Sequence, residues 1–402
     1  MASIVYIARD IERALGKEPK GDYYIITNKT SYGIEIKNKF PDNIFLIENK
    51  EILDTYDLLA REDVKEIINK LKAKILVFKN TLNIEDFCKE NNWELLNPDA
   101  RLSDIAENKI SQVSWLGELA SLLPPHSIDM VKNIKWNKKP FILQWSHGHT
   151  GDGTILIQNE KDLENIKTKF PHRDARITDF IKGPVFTMNI VVGEKEILFG
   201  NISYQITGIS PFTENPFSTI GNDWSVPYTI LSEENLKEFH SIANDIAKKM
   251  QKSKWLGLFG IDIIYDEERN KLHLLEINGR QPASTTFESE LQSKINTEAK
   301  TEKKTEKGEA ITIFEAHIKA LNRELKGNSI IVINDGAQIL QRLTKENLKI
   351  NTNKIIEAGY KVIEYQNTKI NSDYLRIQSD KGIMETHNKF NSRGKEILQS
   401  LI

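Results

Sequence analysis

GIDIIYDEERNKLHLLEINGR, residues 260–280, carries two apolar runs, 261–265 and 272–277, on either side of the charged turn 266–271. That is the pattern of a β-hairpin. Side chains on a strand alternate between faces, so Glu276 and Asn278 point the same way. Pairing around the turn sets Asp262 nearly opposite Glu276, which brings two carboxylates and one amide oxygen to one face. Such hard oxygen donors suit Mg²⁺, which keeps part of its water and completes its shell with substrate phosphates. Isolated acids are usually solvated. These acids interrupt apolar runs instead, where an unpaired carboxylate is costly.

Around this hairpin the composition is that of an ordinary globular chain, and 402 residues suffice for two or three domains. The 55 basic and 57 acidic side chains nearly cancel, so no global field draws in nucleic acid or an anionic membrane, and neither is expected as a partner. With Cys88 the one cysteine, a disulfide framework and a cysteine zinc site are both excluded, and a reducing cytoplasm is the expected setting. Arg9, Asp10, Glu12 and Arg13 fall where a signal peptide would need an apolar core. No apolar run approaches the roughly 20 residues that span a bilayer.

Residues 1–105 alternate strands (SIVYIA, YYIIT, NIFLI, KILVF) with helices (DVKEIINKLKA, IEDFCKENN), which predicts a parallel or mixed sheet. No glycine-rich dinucleotide fingerprint follows the first strand. Asp99 or Ser103 starts a further helix, and Pro124 and Pro125 stop the region. The middle of the chain reads PFILQW (strand), a glycine loop, TILIQ (strand), EKDLENIKTKF (helix), ARITDFI and FTMNIVVG (strands), then the helix SEENLKEFHSIANDIAKKMQK and the hairpin. Residues 201–224, polar and aromatic with few apolar repeats, read as a substrate-shaping segment or an ordered loop held by Phe212, Phe217 and Trp224. The Lys, Glu and Thr tract 296–309 has no apolar anchor and is expected to be a mobile surface loop. After about 327 come SIIVIN, YKVIEY and YLRIQ as strands with a helix at each end. The fold class is α/β and α+β.

The loop SHGHTGDGT, residues 146–154, joins two strands and can lay backbone N–H groups over phosphates. It is not a Walker A sequence. His147 and His149 lack a third ligand and are expected to face solvent or substrate.

Lys109 on a helix, this loop, ITDFIKGP, and the Asp262, Glu276, Asn278, Arg280 cluster occur in an order that resembles the ATP-grasp superfamily, of the carboxylate-amine ligase and biotin carboxylase type. The resemblance implies a Rossmann-like pre-ATP-grasp domain (1–105), an ATP-grasp domain (106–326, small lobe about 126–182, large lobe about 183–326) and a small C-terminal α+β unit (327–402). It also implies ATP and Mg²⁺ as cofactors. Asp262, Glu276 and Asn278 match the metal ligands. Lys109 matches the first phosphate lysine, and Arg280 the arginine that steadies the reacting carboxylate or acyl phosphate. Gln144 stands where the family has a second lysine. Gly148, Gly151 and Gly153 match the loop over the phosphates, and Thr178, Asp179, Phe180 and Ile181 the hinge that receives adenine. Gln281, Ser284 and Thr285 lie where family members contact the acceptor. The implied activity is ADP-forming ligation of a carboxylate to an amine-type acceptor, amino acids or a peptide being the commonest class. An ATP-binding regulator without turnover and an ATP-grasp kinase are the alternatives, and the oligomeric state is open between monomer and homodimer.

Overall fold

A computed structural model describes residues 3–148, 153–299, 309–346 and 348–401. Its first domain is a parallel sheet of β1 (Ile4–Ala8), β2 (Tyr23–Asn28), β3 (Ile44–Ile47) and β4 (Lys74–Val77) in the order β3-β2-β1-β4. Both faces of β1 are buried, as a strand covered by helices on two sides requires. The helix Glu62–Leu71 supplies Val64 and Ile68, and Leu82–Glu90 supplies Ile84 and a buried Cys88. Helix Ser31–Lys39 was not legible, because Ile34 and Ile36 alternate as they would on a strand. The chain order reverses between β1 and β4, so their carboxyl ends, followed by Arg9 to Arg13 and Phe78 to Asn80, form the crevice where doubly wound sheets take ligands.

The small lobe is an antiparallel sheet of β5 (His126–Met130), β6 (Phe141–Gln144), β7 (Thr154–Ile157) and β8 (Asp174–Asp179), ordered β5-β8-β6-β7. Leu143, Ile157 and Ala175 on one face pack against Val131 and against Leu163 of the helix Glu160–Lys169.

The large sheet has nine strands. They are β9 (Val185–Val192), β10 (Ile197–Phe199), β11 (Ser203–Thr207), β12 (Thr219–Asp223), β13 (Gly257–Asp266), β14 (Lys271–Asn278), β17 (Ala337–Arg342), β18 (Lys361–Glu364) and β19 (Asp373–Ser379). Their order is β14-β13-β9-β11-β12-β17-β19-β18, with β10 beside β9. Short pairs β15 (Ala310–Ile311) with β16 (Ser329–Ile330), and β20 (Met384–Thr386) with β21 (Lys389–Phe390), lie outside it. One face is apolar: Met188, Ile190, Phe259, Ile261 and Leu274 pack on Phe239, Ile242, Ile246 and Met250 of the helix Glu233–Lys252, whose start is a capping box from Ser232 and Asn235. The other face is polar at its centre, with apolar ends where Val191 and Leu258 meet the helix Ile313–Leu321 and where Leu340 and Ile363 meet the first domain.

That polar face explains two differences from the sequence reading. Residues 201–224 contain two interior strands of the large sheet, not a loop. Tyr204 and Ile206 point into the core, while Ser203 and Gln205 point to the polar face and hide the strand pattern. The segment after 327 does not stand apart either: β17 pairs with β12 (Gly221 opposite Ile339), so the sheet runs through that point. The strand that joins it, AQILQR, has polar residues at 338, 341 and 342 and had not been read as a strand, whereas of SIIVIN only Ser329 and Ile330 pair.

The first domain docks on the helix Ile313–Leu321 through Phe314, which stacks near Tyr6 and Tyr23 and fills the space a Cβ at Gly16 would need. On the next turn His317 is buried, and its Nδ1 accepts the N–H of Leu258 at 3.0 Å. Burial pushes its pKa down to about 3. A folded-state value below the unfolded one means stability is full above about pH 6.5 and is lost as pH falls toward 3. Over that window His317 should contribute a slope of about 1.4 kcal/mol per pH unit to urea-unfolding free energy. His317→Gln, which keeps an acceptor, should flatten it, and an unchanged slope would show that His317 is not held neutral. Among the described residues no helix is long and apolar enough to cross a membrane.

Candidate active site

In the hairpin Asp262 stands directly opposite Glu276 and Gly260 opposite Asn278, with Leu275 bulged out between the registers. A bulge of this kind re-aims the side chains beside it. Asp262 Oδ1 accepts from Thr187 Oγ1 at 2.7 Å and Oδ2 from Asn278 Nδ2 at 3.2 Å. Burial, reinforced by the Glu276 charge, pushes Asp262 up to about 6 against the hydrogen bonds from Thr187, Gln205 and Asn278. Two carboxylates held together in a poorly solvated place are a donor set that a divalent cation would relieve. Among the described residues no cluster of three or more His, Cys, Asp or Glu side chains forms, so this pair with the Asn278 amide is the candidate.

Cations ring the pair. Lys109 Nζ lies 3.2 Å from Glu276 Oε1. Contrary to the helical placement expected for it, Lys109 sits in the turn between the helices Ala100–Glu107 and Ser111–Leu116, and its N–H donates to Ser146 O at 3.0 Å. The first of these helices is capped by Asp99, whose carboxylate accepts from the N–H groups of Arg101 and Leu102. It is fixed to the hairpin end by Ser103, which donates to Gly279 O, where a side chain on Gly279 would crowd it. Arg280 pairs with Glu107, which also pairs with Lys79 beyond β4. Burial alone would raise the Glu107 carboxyl, but the Arg280 and Lys79 charges hold it below its ordinary value. Arg176 of β8 is 1% exposed and reaches Gln144, Gln112 and Leu275 O.

The small lobe faces this cluster. Opposite its packed face, Ile128, Ile142 and Leu156 line up with Gln144, Thr154, Arg176 and Thr178. The neck of the glycine loop is closed by Gly148 against Gly153, where a Cβ on either would fall within 2.6 Å of the other's backbone. His147 ties the loop base to Asp104 at 2.8 Å, while Gly151 and His149 lie outside the described residues. Thr178 and Asp179 end β8, and Phe180 and Ile181 begin the link to β9. Thr178 and Ile181 are buried and Asp179 is exposed. Asp179 N–H donates to Pro125 O at 3.0 Å, joining the two segments by which the chain enters and leaves the lobe. Gly183, at the end of that link, packs so tightly on β13 that a Cβ would sit 1.9 Å from Tyr265 O.

Gln281, Ser284 and Thr285 are at most 3% exposed, so none presents a free side chain to a ligand. Gln281 accepts from Tyr6 Oη and donates to Arg13 O, which binds the hairpin end to the first domain. Ser284 exchanges hydrogen bonds with Asn189. Glu288, raised by burial, accepts from Asn189 and Asn201 beneath them. A row of polar side chains then continues across the sheet: Thr187, Gln205, Ser203, Asn222, Gln338 and Arg376. Arg176, Glu107, Lys79 and Thr187 were missed by sequence reasoning. For Arg176 the one signal was a basic residue inside the strand ARITDFI.

No protein-family model and no curated protein matches the chain. Solved structures do. Over 100% of this chain and 97% of its own, N5-carboxyaminoimidazole synthetase of Staphylococcus aureus in complex with ADP is similar at TM-score 0.65 and 15% identity. Biotin carboxylase of Campylobacter jejuni in complex with β-γ-ATP matches at 0.63 and 16%, over 94% of this chain and 87% of its own. N5-carboxyaminoimidazole synthase of Aspergillus clavatus, with ADP and 5-aminoimidazole ribonucleotide, matches at 0.64 and 13%, over 94% of each. With its parallel-sheet domain, two facing lobes and full-length likeness to these structures, the chain has the ATP-grasp fold.

Proposed function

We propose that the chain is an ATP-dependent, ADP-forming ligase that activates a carboxylate as an acyl phosphate for attack by an amine or similar nucleophile. One observation carries the reading: Asp262, Glu276 and Asn278 share a face with Lys109 and Arg280 beneath the small-lobe sheet. Structures of the same fold that hold ADP or an ATP form support it. Asp262, Glu276 and Asn278 are the residues that would hold Mg²⁺, which would supply charge neutralisation at the phosphates. Lys109 and Arg280 would stabilise negative charge on the transferring phosphoryl group and the acyl phosphate. Ile128, Ile142 and Leu156 offer an apolar wall for a purine, and the Thr178–Ile181 backbone offers hydrogen bonds to its edge. No side-chain nucleophile is required. Holding three reactants in one closed cleft is worth on the order of 7–11 kcal/mol.

Screening pairs of small carboxylates and amines for Mg²⁺-dependent ADP release should identify a pair whose product has the mass of both partners less water. A product heavier by one phosphoryl group would instead make the protein a kinase. ADP binding with no release in any pair would make it a regulator.

A further inference from the structure

We propose that Arg176, acting through Gln144, supplies the positive electrostatic contact that the small lobe makes with the nucleotide's phosphates. The inference rests on the nucleotide-binding reading above and concerns how this chain manages without a lysine at the end of β6. Gln144 and Arg176 are cross-strand neighbours on the cleft face. Arg176 Nε and Nη2 donate to Gln144 Oε1 at 3.0 and 2.8 Å. A guanidinium has only donors, so the amide oxygen must face it and the Gln144 NH₂ must point the other way. Gln144 is the last residue of β6, at the root of the glycine loop. A donor amide backed by a cation is a charge-assisted donor, stronger than a neutral one.

The remaining bonds of Arg176 go to Gln112 Oε1 at 3.1 Å and Leu275 O at 3.2 Å. All three acceptors are neutral. Among the described residues no carboxylate lies within ion-pairing reach, and the acid whose charge acts on it is Glu276. A buried cation without a bonded counter-charge is expensive and calls for an anion that arrives later. Burial pushes the guanidinium down to about 10, which leaves it charged at neutral pH. No other lysine or arginine occurs in β5–β8, so without Arg176 the strands of this lobe would bring no such charge to the phosphates. Arg176 is therefore a positioning residue, set behind the amide that meets the ligand.

Calorimetric affinities for ADP and for adenosine at fixed Mg²⁺ test this. Arg176→Met should weaken ADP binding about 10- to 100-fold and leave adenosine within threefold, while Arg176→Lys should retain most of the ADP affinity. Arg176→Met/Gln144→Lys, which returns a charge from the adjacent strand, should recover at least tenfold. Equal loss for ADP and adenosine, or no recovery in the double variant, would mean a merely structural role and overturn the proposal. Should Arg176→Met fail to fold, Gln144→Leu still decides. It leaves Arg176 in place and should cost ADP about tenfold with adenosine unchanged, and undiminished ADP affinity would overturn the proposal. Failure of the unaltered protein to bind ADP at all would refute the nucleotide reading itself.

Discussion

Asp262→Asn should lower ADP formation by about a thousandfold and leave the ligand-free protein as stable as before, or more stable by about 1 kcal/mol. The two effects have one cause. Asp262 is desolvated beside a second carboxylate, and both conditions disfavour its charge in the empty protein. An asparagine removes the repulsion and keeps the bond from Thr187, while Asn278 can rotate its amide to accept where it now donates. What disappears, on the proposed reading, is a negative ligand for the cation. Thermal unfolding with and without ligand checks the stability and the loss of the cation, and an ADP-release assay checks the turnover. The unaltered protein should gain stability from Mg²⁺ with ADP and the variant should not. A variant that turns over normally would remove Asp262 from the site.

Arg280→Gln should reduce turnover at least about a hundredfold if, as proposed, its charge stabilises the reacting group. Unlike Asp262→Asn it should also destabilise, by about 2–4 kcal/mol, because Glu107 is buried and keeps only Lys79 as a partner. Adding Glu107→Gln should return most of the stability and none of the activity. This separates the structural duty of Arg280, holding the helix Ala100–Glu107 to the hairpin, from the one proposed for it at the reacting group. Full activity in the double variant would show that Arg280 serves structure alone. A denaturation midpoint together with a single-turnover ADP assay measures both.

The hairpin and its acidic face were legible in the sequence because both features are local. A period of two and the charged turn bring Asp262 within one residue of Glu276, and the bulge at Leu275 completes the register; the first three strands are legible as short unbroken apolar runs. Residues whose partner is set by long-range pairing were not. Arg176 meets Gln144 only because β8 returns antiparallel beside β6, and Glu107 looked like an ordinary helix acid until Arg280 and Lys79 closed on it from other elements. Burial is likewise set at long range: Gln281, Ser284 and Thr285 are polar in sequence as ligand contacts would be, and in the fold all three are buried, Gln281 against the first domain. Strands β11, β12 and β17 escaped notice because one face of the large sheet is polar and buried at once. Hydrophobic alternation cannot report a face whose side chains satisfy one another, from Thr187 to Arg376.

A crystal structure with ADP and Mn²⁺, in which the metal is located by its anomalous scattering, bears most directly on the two-carboxylate site. One peak within about 2.3 Å of oxygens from both Asp262 and Glu276, and bridged to ADP phosphate beneath the glycine loop, is the predicted result. A nucleotide bound with its metal away from both carboxylates would contradict it.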